Sequence, residues 1–245
     1  MTAETIDKLR SLNQDFYKIV ATHFSATRDY AWQGWQVLAD YLAQQEFVAS
    51  RILDLGCGNG RFANFAQAAI PYKYYLGVDN NPELLSEAKL KLHENSAISE
   101  FLQADILDFP EIVPQSSSKF DLVTLFGVMH HIPGETMQQR IIKYAKGLLN
   151  PGGLLVISFW DIHSAEKLLA KITDPVIAGI DPNELAENDY ILSWHKGETA
   201  YRFCHKYSES EINELAIVND CVIKFQFKAD GANGLGNDYR IFKAK

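Results

Sequence analysis

Apolar positions give the first reading of this chain. Between Thr5 and Gln45, Phe16, Ile19, Val20 and Phe24, and later Trp35, Leu38 and Leu42, recur at spacings of three and four. That is the period of a helix with one buried face. The stretch His23 to Trp32 mixes aromatic and polar residues and breaks the stripe. From Arg51 the pattern changes. Short apolar runs at Arg51–Leu55, Tyr74–Val78, Ser99–Ala104, Phe120–Phe126 and Leu154–Trp160 read as strands. Helices are predicted between them over Arg61–Ala69, from Pro82 to about Glu94 with Asn81 as N-cap, and over Thr136–Leu149. Asn150-Pro-Gly-Gly153 is the stop signal of the last of these. After Trp160 a less regular stretch runs from His163 to Trp194, followed by strand-like segments at Tyr201–Tyr207, Val222–Phe227 and Tyr239–Phe242.

Strands alternating with helices imply βαβ units and a doubly wound parallel sheet of the α/β class. In such sheets the binding crevice lies at the carboxyl ends of the strands, where the strand order reverses. Several polar residues fall at those ends. The first strand runs into Asp54-Leu-Gly-Cys-Gly-Asn-Gly60, the second ends in Asp79, the third in Asp105 and the fourth in Gly127-Val-Met-His-His131. Glycines at 56, 58 and 60 let the backbone turn sharply into the next helix and approach a ligand closely. The spacing departs from the dinucleotide fingerprint, and no phosphate-binding Lys follows as in a P-loop. Asp79 is placed to accept hydrogen bonds from both hydroxyls of a ribose, or to cap the helix after Pro82. The His130-His131 pair can hold a polar or anionic substrate or act as acid or base. Adjacent histidines point in different directions, so a shared metal is not expected, and His130 is preferred as the substrate-facing one.

Composition narrows the rest. Apolar residues make up 47% of the 245, enough for a full core. No apolar run is long enough to span a bilayer. Met1–Arg10 carry Glu4 and Asp7 and no apolar block, so no secretory leader is expected. Cys57, Cys204 and Cys221 are scattered, without a CxxC pair, which predicts no structural zinc and a reduced, cytoplasmic setting. The formal net charge of -8 argues against a broad nucleic-acid-binding surface but leaves room for a local basic patch.

The loop Asp54–Gly60, with Asp79 and Asp105, resembles motif I and the following acids of class I S-adenosylmethionine-dependent methyltransferases. The ends of the chain resemble one branch of them. Phe16-Tyr17, Val20-Ala21, His23-Phe24-Ser25, Thr27-Arg28 and Trp32 are similar to the N-terminal signature of the tRNA wobble-uridine carboxymethyl methyltransferases. His130-His131, Trp160, Arg202-Phe-Cys-His205-Lys-Tyr207 and Asn237-Asp238-Tyr239 match the same family, with Cys204 standing where the family has an aromatic residue.

The resemblance implies a Rossmann-like doubly wound sheet over residues 51–245 under an N-terminal helical cap of residues 1–50. It implies S-adenosylmethionine as cofactor, held by Asp54, Gly56, Cys57, Gly58, Gly60, Asp79, Asn80, Asp105, Ile106 and Phe126. It assigns His130, Arg28 and Arg202 to catalysis, with Asp105 receiving the adenine amino group. His131, Trp160, His205 and Tyr207 fall on the substrate side. Arg28 and Arg202 remain open to two readings, a structural ion pair or a fork on a carboxylate. The implied partner is tRNA, and eukaryotic members of the family work with a small zinc-binding activator subunit. A small-molecule methyltransferase is the competing expectation. A tRNA enzyme should frame its pocket with Arg28, Lys143, Lys196, Arg202 and Lys206.

Overall fold

The computed structural model describes residues 1–26, 30–92, 98–108, 119–164, 166–195 and 197–245, with side chains described from residue 30 onward and for residues 1–20. The chain opens with two helices, α1 (Ala3–Ala26) and α2 (Gln33–Gln44). Then follow β1 (Arg51–Leu55), α3 (Arg61–Ala69), β2 (Tyr74–Asp79), α4 (Pro82–Lys91), β3 (Ile98–Gln103), β4 (Phe120–Leu125), α5 (Glu135–Gly147) and β5 (Leu149–Trp160). The remainder is α6 (Glu166–Leu169), β6 (Ile172–Thr173), β7 (Asp189–Trp194), β8 (Ala200–His205), α7 (Glu209–Val218), β9 (Cys221–Ala229) and β10 (Asn237–Ala244). None of the described helices is long and apolar enough to cross a membrane.

Among the described residues, seven strands form one sheet in the order β3-β2-β1-β4-β5-β10-β9. β3, β2, β1, β4 and β5 pair in parallel, and β10 lies antiparallel between β5 and β9. The order reverses between β1 and β4. This is the doubly wound Rossmann-like sheet expected, and its crevice opens at that switch point. The central strands are buried on both faces, as parallel strands covered by helices must be; Ile52, Leu53, Leu55, Leu122, Val123, Leu125, Val156 and Ile157 are fully shielded.

Two local expectations hold for the stated reason. Asn81 caps α4 by accepting from Leu84 N at 2.9 Å. Asn150-Pro-Gly-Gly153 does end the helix before it, but it then lies inside β5. Phe120 pairs with Leu149 and Leu122 with Leu154, so the Pro-Gly-Gly segment bulges out of register instead of forming a loop.

The region read as irregular contributes β6 and β7, which join β8, the strand expected at Tyr201–Tyr207, in a second sheet, antiparallel throughout. α1 packs on it. Leu9 meets Ile180, Ile191 and Phe203, while Phe16 and Val20 meet Trp194 and Ala200. The cap is therefore composite, made of one helix from the start of the chain and three strands inserted after β5. α2 belongs instead to the main core, where Trp35, Leu38 and Leu42 pack on α3, β1 and β10.

Candidate active site

The site begins with the turn after β1. Gly56 N and Cys57 N both donate to Val78 O, at 2.7 and 3.0 Å, which folds the loop against the end of β2. Gly58 N donates to Asp79 Oδ2 at 2.8 Å, and Asn81 N donates to Asp79 Oδ1 at 2.9 Å. Gly58 has φ +53, and a Cβ built on it would meet nothing within 4 Å. The backbone there faces open cleft, so a ligand can approach it closely. Gly56, with φ +79, is required for a different reason: a Cβ would overlap the Val128 side chain. Burial raises the Asp79 carboxyl above its ordinary value, opposed by the amide donors of Asn81 and Gly58.

A cleft of about 850 Å³ runs from this loop across the switch point. It is lined by Asp54, Gly56, Cys57, Gly58, Asp79, Asn80, Asp105, Ile106 and Phe126, all expected at a cofactor site. Asp54 is the exception in role. It is 1% exposed and spends its carboxylate on Tyr75 OH (2.6 Å) and Thr124 Oγ1 (2.7 Å). Burial pushes it up to about 6, so it braces the loop from below. Gly60 does not line the cleft. Its φ is +73, and a Cβ would come within 2.8 Å of Ala88 Cβ, so this glycine serves the packing of α3 on α4.

The acceptor end is built on the short 3-10 turn Met129–His131 that follows β4. His130 is buried and its ring lies 4.0 Å from that of His131 and 4.8 Å from Trp160. Arg202, on β8, is 5% exposed; its guanidinium carbon sits 4.9 Å from the Phe16 ring and 4.9 Å from the Trp160 ring. Both His130 and Arg202 line the cleft. No carboxylate pairs with Arg202 among the described residues. The site thus offers a buried cation in the wall of the cleft, packed on two aromatic rings.

Other expected substrate residues are placed differently. His131 lines the cleft, but its Nδ1 donates to Phe203 O at 2.9 Å, which leaves Nε2 to accept from Tyr17 OH at 2.8 Å. Burial, then the Arg202 charge, pushes it down to about 3, so it is neutral and acts as a fastener. His205 and Tyr207 do not reach the cleft. His205 is held by Asp189 (2.7 Å) and Glu211 (3.2 Å), and Tyr207 OH donates to Met129 O at 3.1 Å. Tyr207 supports the 129–131 turn from behind, and the His205 ring packs edge-on against Tyr207. Trp160 does line the cleft. Arg28 and Lys196 lie outside the described residues. Lys143 and Lys206 do not line the cleft; Arg10, Arg61 and Lys167 do.

The helical cap was expected from the sequence, but the polar residues that α1 brings to the cleft were not. Arg10, Asn13, Gln14 and Tyr17 all line the cleft. Arg10 Nη2 and Gln14 Nε2 donate to Asp105 Oδ2 at 3.1 and 2.9 Å. Asn13 donates to His131 O at 3.0 Å and accepts from Phe203 N at 2.8 Å. Positions 10, 13, 14 and 17 form one helical face. That polar stripe, set against the apolar stripe Leu9-Phe16-Val20, was the available signal. The structure also brings Cys204 beside the histidine pair, with one ligand atom from each of His130, His131 and Cys204 within 4.8 Å of the others. The donor set is a poor one for a metal: both His131 nitrogens are engaged in hydrogen bonds, and the Arg202 charge lies beside the group.

A doubly wound sheet with this strand order, a glycine turn after β1 and acids closing β2 and β3 define a class I S-adenosylmethionine-dependent methyltransferase. Residues 26–220 match the methyltransferase-domain family, and the chain belongs to it. A methyltransferase-named chain of Encephalitozoon cuniculi is 26% identical over 200 residues, covering 82% of each chain. The tRNA (carboxymethyluridine(34)-5-O)-methyltransferase of Arabidopsis thaliana is 28% identical over 158 residues, which is 64% of this chain but 35% of that protein. A ubiquinone biosynthesis O-methyltransferase of Xanthomonas oryzae pv. oryzae is 29% identical over 147 residues, 60% of this chain and 58% of that one. The fold is shared with an S-adenosylmethionine-dependent methyltransferase of Clostridium acetobutylicum, with a TM-score of 0.67 at 17% identity over 94% of this chain and 98% of the other.

Proposed function

We propose that this methyltransferase esterifies a carboxylate, and that the carboxylate is the carboxymethyl group of a modified wobble uridine in tRNA. The observation that carries the first half is Arg202. A buried guanidinium without an acid partner is unfavourable unless a ligand completes it. The planar fork of an Arg suits the two oxygens of a carboxylate. The Phe16 and Trp160 rings pack against that fork, and Arg202 lines the cleft.

S-adenosylmethionine supplies a methyl group on a positively charged sulfur. A carboxyl group of ordinary pKa, about 4, is already ionised at neutral pH, so no general base is required. The work of this chain is alignment. The open backbone at Gly58, with Asp79 and Asp105, holds the donor end of the cleft, and Arg202 and His130 orient the acceptor. The aromatic wall of Trp160 and Phe126 keeps water from the ion pair that the reaction neutralises. Among the described residues, Tyr30, 66% exposed, and exposed Lys167 line the cleft, which supports entry of a base turned out of its stack.

The tRNA half draws on the relatives from Arabidopsis thaliana and Schizosaccharomyces pombe that are named for this reaction, the latter 28% identical over 60% of this chain and 56% of that one. A second reading, a small carboxylic acid, is favoured by the net charge of -8 and by the placement of Lys143 and Lys206 away from the cleft. Incubation with labelled cofactor and either tRNA bearing carboxymethyluridine or a panel of small carboxylic acids separates them. Label in the tRNA is the expected result. Label confined to the small acids would leave the carboxylate chemistry standing and remove the tRNA.

A further inference from the structure

α1 touches both ends of the cleft. At the donor end, Asp105 Oδ2 accepts from Arg10 and Gln14, and Oδ1 accepts from Leu107 N at 2.9 Å. A carboxylate oxygen has two lone pairs, so Oδ2 is full and Oδ1 keeps one. Any donor group that reaches Asp105 from the cleft meets a carboxylate whose remaining side-chain contacts belong to α1 and to the Arg10 bridge to Asp108 (2.9 Å).

At the acceptor end, the same helix carries Phe16 against Arg202 and Tyr17 against His131. Arg10 and Phe16 are about 9 Å apart along the axis, at 1.5 Å per residue. They belong to one uninterrupted helix, so displacement of the first is transmitted to the second. Charge neutralisation alone does not explain the arrangement. Asp108 is largely exposed and its bridge is worth little, while Gln14 brings no charge and still spends its amide on Asp105.

We propose that Arg10 and Gln14 are positioning residues that tie α1 to the cofactor through Asp105, so that cofactor binding sets the Phe16–Arg202 acceptor pocket. The pocket's role in holding a carboxylate rests on the function proposed above; the tie itself does not. Coupling of this kind is reciprocal, so a filled acceptor site tightens cofactor binding by the same factor.

Hydrogen–deuterium exchange of the full chain, with and without S-adenosylhomocysteine, tests it without any acceptor present. Calorimetry on the same samples confirms that each variant binds the ligand. In the wild type, the ligand slows exchange of α1 amides in residues 6–20 by about tenfold, within the usual range of coupling between sites. In Arg10→Ala/Gln14→Ala, the ligand still binds and that slowing is lost. Arg10→Lys restores part of it, and Gln14→Ala, which keeps the Arg10 ion pair, loses part of it and serves if the double variant does not fold. Exchange slowed equally in the wild type and in the variants, or α1 exchange indifferent to the ligand in the wild type, would overturn the proposal. Failure of the wild type to bind the ligand would overturn it together with the cofactor assignment. A failed carboxylate assignment leaves every one of these readings unchanged.

Discussion

Arg202 and Asp79 are polar side chains that define opposite ends of one cleft, and substitution should separate them cleanly. Removing the Arg202 fork takes away charge-assisted hydrogen bonds to the acceptor, about 2–3 kcal/mol, or roughly 30- to 150-fold in acceptor kcat/KM. Arg202→Gln should show that loss with S-adenosylmethionine affinity within about threefold of wild type. Arg202→Lys should recover little, because a lysine cannot pack on Phe16 and Trp160 as a planar group. Asp79→Asn should do the reverse and weaken cofactor binding at least tenfold, by about 1.5–3 kcal/mol for a hydrogen bond to a charged group. Calorimetry and steady-state kinetics read both effects.

Two buried groups under the site give opposite pH dependences. Asp54 is raised from 3.8 to about 6, so the native chain takes up its proton first and gains stability as pH falls from about 6 to 4. His131 is lowered from 6.5 to about 3, so the unfolded chain takes up that proton first and stability falls as pH drops below 6.5. In the wild type the two offset each other between pH 6 and 4. Asp54→Asn removes the first alone, and its unfolding free energy should therefore decline more steeply than wild type on acidification. Denaturant titrations at pH 4.5, 5.5 and 6.5 would show it; parallel curves for the two proteins would contradict it.

At the scale of elements, the glycine turn after β1 divides into positions that serve the ligand and positions that serve the fold. Gly58→Ala adds a methyl toward open cleft at φ +53, so it should cost about 1 kcal/mol of stability and yet sharply weaken cofactor binding. Gly60→Ala drives a Cβ toward Ala88 and should destabilise the α3–α4 packing first. Thermal unfolding with and without S-adenosylhomocysteine distinguishes them: the Gly58 variant loses ligand-induced stabilisation, and the Gly60 variant loses stability in both.

The main sheet was legible in the sequence because period-2 and apolar runs mark buried parallel strands, and the polar residues at their ends mark the crevice. Asp79, Asp105 and the Gly56–Gly58 turn follow directly from that pattern. The helix of the cap was legible from its apolar stripe, but the strands it packs on were not all so. β7 pairs only within a small side sheet, so Asp189–Trp194 lacks the strong run of a central strand. The polar face Arg10-Asn13-Gln14-Tyr17 resembled a solvated helix side, because nothing in a helix's own period says whether water or a cleft lies opposite. His205 and Tyr207 show the converse limit. Their residue types suit a site, but they lie outside the cleft, on Asp189, Glu211 and Met129 O.

At the scale of the whole molecule, the chain joins a donor site common to its fold to an acceptor site made by its own cap. The net charge of -8 makes broad attraction to a polyanion weak, so recognition of tRNA would depend on local cations lining the cleft such as Arg61 and Lys167. Lys167→Glu should then lower activity on tRNA several-fold and leave activity on a free carboxymethyl nucleoside unchanged. Both claims presuppose that the methyl group goes to a carboxylate, and that is open to a direct chemical measurement. The labelled product, whichever acceptor is used, should be a methyl ester and release its label as methanol under mild alkali. Label that survives alkaline treatment, as on nitrogen, carbon or an aryl oxygen, would contradict the assignment of Arg202 to a carboxylate.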